Sequence, residues 1–224
     1  EAWKRYRFAG ISSRIFDEAV NTIAIATAAT VVTVGFGLVI AYTTRVRPGA
    51  QSSWLLRLST MGYAAPGTVV AIGVLIVITS LDRFIDRTAI TLLGTSTGLL
   101  LMGSGTAVVY ALTVRFLAIS AGGIEAGLSR IPVSLDHASR TLGQSSTGTF
   151  RHIHLPLSKA AIAAAGLLVF VDCVKELPAT LLLRPLNIET FATHLYGEAA
   201  RGTYEEASIA ALASGEVTTT EQIY

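Results

Sequence analysis

The sequence predicts an all-α, polytopic membrane bundle of about four to five transmembrane helices, and three observations predict it. Half of the 224 residues are apolar, only 14% are charged, and three stretches, 19–44, 58–81 and 88–114, contain no Asp, Glu, Lys or Arg. Each stretch exceeds the roughly 20 apolar residues that a helix needs to cross the hydrocarbon core. A soluble core of this size cannot hide three such runs, so the chain is expected to partition with membranes and to need detergent. The formal net charge of +2 gives no support for a nucleic-acid partner. The single cysteine, Cys173, excludes an internal disulfide framework and a multi-cysteine zinc site. The first residues, E-A-W-K-R-Y-R-F, lack the apolar core and cleavage site of a signal peptide.

Residues 19–44 form the expected first span, whose threonines can bond back to carbonyls of the preceding turn. A basic loop, Arg45 to Arg57, follows with Pro48-Gly49 as a turn. Residues 58–81 are the expected second span, kinked early at Pro66-Gly67, where neighbouring helices must satisfy the freed carbonyl. Asp82, Arg83, Asp86 and Arg87 read as a solvated turn, with Arg83 and Asp86 spaced to pair on one helix face. A third span is expected near 94–114, ending as Arg115 reaches the interface. Its glycines, Gly94, Gly98 and Gly103, serve either close helix approach or loop flexibility.

The longest polar interval, Ile131 to Pro156, reads as a shaped knob and not as a linker. Pro132 opens a helix, and Ser134 and Asp136 offer early acceptors for its N–H groups. Leu135, Ala138 and Leu142 share one helix face, and Gly143 sits where a left-handed residue would end that helix. A second short helix is expected over Ser146 to Ile153, and Pro156 begins the fourth span, 155–174. Lys159 snorkels at one end of this span and Asp172 lies near the other. Pro178 breaks the helix, and Leu181 to Leu183 is too short to cross, so it reads as a re-entrant or interfacial segment. Ile188 to Ala199 is amphipathic. A further helix begins at Tyr204 but gives way to a polar tail over 214–224.

The knob carries a family pattern. His137-Ala138-Ser139, three residues, Gly143, nine residues, and Ile153-His154-Leu155-Pro156 resemble the E-A-A, three, G, nine, I-x-L-P loop of binding-protein-dependent ABC-transporter permeases, which have the MetI-like fold. His137 stands where that pattern has glutamate, with Asp136 one place earlier, and Ser139 stands at the second alanine. Any role that needs a carboxylate at position 137 is therefore in doubt. The resemblance covers roughly residues 15–213, a single transmembrane domain whose last span looks truncated or replaced. It implies a coupling loop over 131–156 that seats in an ATPase subunit, with Asp136, His137, Ala138, Ser139, Gly143, Ile153, Leu155 and Pro156 as its marked positions. The run K-E-L-P-A-T-L-L-L-R-P, from Lys175, is similar to the iron(III) branch of the family, in which many members carry two such halves and only the second is recognisable here.

The resemblance thus implies the permease subunit of an ATP-driven importer in the bacterial inner membrane, with no cofactor of its own. Its implied partners are an ATP-binding cassette subunit, a periplasmic or extracellular substrate-binding protein, a second permease half or copy, and membrane lipid. Asp172 and Glu176, four apart with Lys175 beside them and Pro178 beyond, either line the mouth of a translocation path or close a helix end at the interface. Alternative functions are a same-fold permease for sulfate, molybdate or a polyamine, and a non-transporting membrane scaffold or fragment. The residues themselves argue against catalysis: none of Lys4, Lys159 and Lys175 follows a glycine, so there is no P-loop, and H-E-x-x-H does not occur. His137, His152 and His154 are close in sequence, but i and i+2 do not share a helix face, so they read as polar groups at an aqueous interface and not as a metal site.

Orientation follows from the basic residues. The segments 45–57 and 115–159 hold eight of them, from Arg45 to Lys159, against two acids, Glu125 and Asp136. That excess marks both segments as cytoplasmic.

Overall fold

The computed structural model describes residues 13–47, 49–185 and 187–202. The expected helix from Tyr204 and the tail over 214–224 lie outside the described residues. Among these, every regular element is helical: α1 Ser13–Val46, α2 Ala50–Ala64, α3 Gly67–Leu93, α4 Leu100–Gly103, α5 Thr106–Ser129, α6 Val133–Thr141, α7 Ser146–Thr149, a π-helical turn Phe150–His154, α8 Leu155–Lys175, α9 Pro178–Leu183 and α10 Phe191–Arg201. Four helical stretches are long and apolar enough to cross a membrane: Ile15–Val46, Gly67–Leu93, Thr106–Ser129 and Ser146–Lys175. Val31, Val39, Ile76 and Leu167 are exposed on them. For a spanning helix such apolar faces meet lipid tails, which are as apolar as the side chains themselves.

The second span differs from expectation. The helix does not kink at Pro66; α2 ends at Ala64, Ala65 is extended, and α3 starts at Gly67. A residue before proline is driven out of the helical region by the proline ring. The Arg115 guanidinium, within α5 and not at its end, donates to the Ala65 carbonyl at 3.0 Å, so a neighbouring helix does satisfy the break. Asp82 to Arg87 do not form a solvated turn; they lie inside α3. Asp82 is fully buried and its two oxygens accept from the Leu101 and Met102 amides at 2.9 and 3.0 Å. Asp86, one turn on, accepts from the amides of Thr97 and Gly98 and from the Ser96 hydroxyl. These two carboxylates hold the 96–102 connection against α3. The third span is consequently displaced to Thr106–Ser129, and Gly94, Gly98 and Gly103 have open space where a Cβ would stand, which is the loop use of glycine.

Two compact units are recognisable. The described residues within Glu1–Ala28, Gly67–Ala111 and Asp172–Tyr224 form one; Ala29–Pro66 and Leu112–Val171 form the other. In the first unit α9 packs against α3, and Ala71, Val74, Ala179 and Leu183 are buried. The second has a core of Ala41, Ile124, Leu128, Ile131 and Ala165, with Val34, Leu38 and Ile162 packed on it. Its helices approach through glycine: a Cβ at Gly62 would lie 2.0 Å from the Val114 carbonyl oxygen, and one at Gly127 2.3 Å from the Ala161 methyl group. The Gly62 contact is with backbone, which cannot swing aside. Gly62→Ala is therefore expected to destabilise by about 1–3 kcal/mol. Gly35→Ala, where no atom lies within 4 Å, should leave the unfolding midpoint in detergent nearly unchanged.

Candidate functional site

The 131–156 segment forms two short helices joined at a glycine corner, as expected. The α6 helix begins after Pro132 without a side-chain cap; Ser134 is exposed and Asp136 is engaged elsewhere. After α6, Gly143 has φ 78°, and its amide donates to the Arg140 carbonyl at 3.0 Å. The α7 helix is capped by the Ser145 hydroxyl, which accepts from the Gly148 amide. Instead of ending near Ile153 and restarting at Pro156, the chain runs through the π-helical turn directly into α8. There the Leu155 amide donates to the Phe150 carbonyl, five residues back. Wider winding of this kind lets a helix absorb a residue that cannot complete its regular ladder, here Pro156 with its missing N–H.

Asp136 is the hinge pin of the segment. Its Oδ2 accepts from Arg45 Nη2 at 3.0 Å, and its Oδ1 lies 2.6 Å from His154 Nε2. A carboxylate only accepts, so the His154 proton sits on Nε2. The guanidinium of Arg45 also donates to the Leu128 and Ile131 carbonyls, at the foot of the core. One carboxylate thereby joins α6 to α1 and to the π-helical turn that leads into α8. Tyr42, one turn before Arg45, packs with its ring tilted against those of Phe150 and His154 and donates its hydroxyl proton to the Ser146 carbonyl at 2.9 Å. Ser139 and Thr149 share a hydrogen bond of 2.8 Å, closing α6 onto α7. Folding the two short helices against α1 in this way makes the knob rigid.

The faces of α6 are assigned unexpectedly. The inward side is polar, Asp136 and Ser139, three residues apart. The apolar stripe of Leu135, Ala138 and Leu142 faces out, and Leu142 is 81% exposed. His137 is exposed as well, whereas Ile153 is half-buried and Leu155 and Pro156 are exposed. The expectation for the histidines needs correction at one position: His154 is only 2% exposed and is the buried partner of Asp136. His152 does point outward and meets the Gly148 carbonyl.

At the other candidate positions, Asp172 is half-buried, Lys175 and Pro178 are exposed, and Glu176 is buried. A Glu176 carboxylate oxygen accepts from the Ala179 amide at 3.5 Å, and Pro178 stands at the first position of α9. Composition gave no sign of a further buried polar cluster. His194 of α10 is bonded to Glu18 of α1 and lies 3.7 Å from Glu198, which Arg201 also approaches at 3.3 Å. Only the sparse charge of an otherwise apolar segment hinted at Glu18. Among the described residues no group of three His, Cys, Asp or Glu side chains is arranged to hold a metal ion.

The family described as binding-protein-dependent transport system inner membrane component matches residues 11–196. The chain belongs to that family. It is accordingly a multi-pass component of the inner membrane, and neither an enzyme nor a cofactor protein. The chain is 28% identical over 196 residues to the ferric transport system permease protein FbpB of Actinobacillus pleuropneumoniae, covering 87% of this chain and 26% of that protein. It is 30% identical over 192 residues to a protein of Haloferax volcanii named a probable molybdenum ABC transporter permease, covering 81% of this chain and 65% of that one. The chain spans about a quarter of the length of the ferric relatives it matches. Its fold superposes, with a TM-score of 0.74 at 12% identity, on a chain of a bacterial ABC transporter involved in the import of the acidic polysaccharide alginate, covering 96% of this chain and 78% of that one.

Proposed function

We propose that this chain is the transmembrane permease subunit of an ATP-driven importer, and that its 131–156 knob is where a separate ATPase subunit engages it. The observation that carries this is the knob itself. It is exposed at Leu135, His137 and Leu142, yet its inner face is pinned to α1 through Asp136 and Arg45. A pinned loop transmits a push from a partner to the helix that holds it, whereas a loose loop absorbs the push. Closure of the ATPase would tilt the spans between outward and inward access. A substrate-binding protein on the outer side and a second permease half or copy complete the proposed assembly.

Iron(III) is the proposed cargo. The ferric relatives support it, as does the K-E-L-P-A-T-L-L-L-R-P run from Lys175. Asp172, Lys175, Glu176 and Pro178 remain the proposed path positions; ferric ion prefers hard oxygen ligands such as the two carboxylates. One observation favours a second cargo, molybdate: the chain covers 65% of the Haloferax relative but about a quarter of the ferric ones. Uptake of radiolabelled ferric iron and of molybdate, measured in cells with and without the gene, separates the two. Iron uptake lost on deletion with molybdate uptake unchanged supports the first; the converse overturns it. The purified chain alone is expected to hydrolyse no ATP, since it has no P-loop; turnover above a mock preparation would contradict this.

A further inference from the structure

We infer that the knob docks through a basic and apolar face, and that the groove receiving it on the partner protein is acidic. The inference rests on the proposal that an ATPase subunit engages the knob, and adds the sign of the contact. Between Ile131 and Pro156 the only carboxylate is Asp136, and it is turned inward and engaged by Arg45 and His154. It therefore offers little negative charge to a partner. What the segment presents outward is Val133, His137 and Arg140, spaced i, i+4 and i+7 on one stripe of α6, with Leu142 at the corner. Arg151 is exposed on the π-helical turn, and the Ser139–Thr149 hydrogen bond holds α7, which leads directly into that turn, against α6. A stripe of this composition is matched by a pocket for Leu142 ringed with carboxylates, because like charges placed opposite each other are strongly disfavoured in an interface.

Anionic lipid is the other chemistry that attracts arginine beside apolar side chains. Lipid recognition generally takes clusters of about 4–8 Lys or Arg residues. This face has Arg140 and Arg151, on a knob whose inner side is fixed by directed hydrogen bonds. A shaped protein groove suits it better.

The test uses the complete transporter, purified in nanodiscs of phosphatidylcholine and, separately, of phosphatidylglycerol. Retention of the ATPase subunit on the tagged permease is measured as ionic strength is raised. The parent should lose affinity progressively with salt, as contacts between exposed charges do. The Arg140→Glu/Arg151→Glu double variant should bind about tenfold or more weakly in both lipids, and Arg140→Lys/Arg151→Lys near the parent. Normal membrane abundance of both variants shows that the fold survives, since neither arginine is buried. Retention insensitive to salt and to charge reversal overturns the acidic groove while leaving the knob as the docking element. A reversal effect confined to phosphatidylglycerol assigns the face to lipid and likewise overturns it. A parent that retains no ATPase subunit in either lipid overturns the coupling proposal on which the inference rests.

Discussion

Replacing Asp136 with alanine is expected to abolish transport and to destabilise the chain by about 1–3 kcal/mol, the usual scale for losing a charge-assisted hydrogen bond in a partly buried ion pair. The variant leaves the Arg45 guanidinium without its carboxylate and the His154 Nε2–H without the Asp136 oxygen that accepts from it. Arg45 would keep the Leu128 and Ile131 carbonyls, so α1 stays on the core. What is lost is the tie from α1 to α6 and from α6 to the π-helical turn before α8. Asp136→Asn, which retains one acceptor oxygen, should fall between the variant and the parent. A double-mutant cycle with Arg45→Met should return a coupling energy of about 0.5–3 kcal/mol, since the residues touch. Unfolding midpoints in detergent measure the stability, and uptake in cells measures the function. Wild-type transport and stability in Asp136→Ala would show that the pin is incidental.

Gly143→Val is expected to leave membrane abundance near normal but to abolish uptake and weaken ATPase association. The residue has φ 78°, which a β-branched side chain adopts at a cost of roughly 1–2 kcal/mol. A Cβ there would meet no atom within 4 Å, so the strain comes from the backbone and not from a clash. The cheapest relief is to lower φ, which swings Leu142 and the α6–α7 corner out of register with the partner. Gly143→Asn should lose much less, because asparagine visits the left-handed region readily. Immunoblots of washed membranes and uptake assays check both variants. Normal uptake in Gly143→Val would remove the corner from the coupling mechanism.

Local chemistry was the legible part of this chain. Pro132, the turn at Gly143 and the uncharged runs announced α6, the corner and the membrane bundle. The Asp136 partnership was not legible, because Arg45 lies 91 residues away and pairing at that distance leaves no period in the sequence. Asp82 was misjudged for a related reason. A charge beside Arg83 reads as solvated, yet its true partners are the main-chain amides of Leu101 and Met102, and backbone donors have no side-chain signature. The same blindness shifted the third span, since Arg115 marked an interface in sequence but serves the Ala65 carbonyl from within a helix. Exposure of Leu142 was hidden by the ordinary rule that a shared apolar stripe faces the core. Here the polar side faces inward, because Arg45, His154 and Thr149 are waiting for it.

The central claim is that the 131–156 knob stands on the cytoplasmic side and is covered by an ATPase subunit. Thiol labelling of Ala138→Cys tests it most directly. Ala138 is exposed and the native Cys173 is buried, so a membrane-impermeant maleimide reports on the new thiol. The account predicts labelling in inside-out vesicles stripped of peripheral proteins, protection when the ATPase subunit is added back, and none in intact cells. Labelling in intact cells, or labelling that the ATPase subunit leaves unchanged, would contradict it.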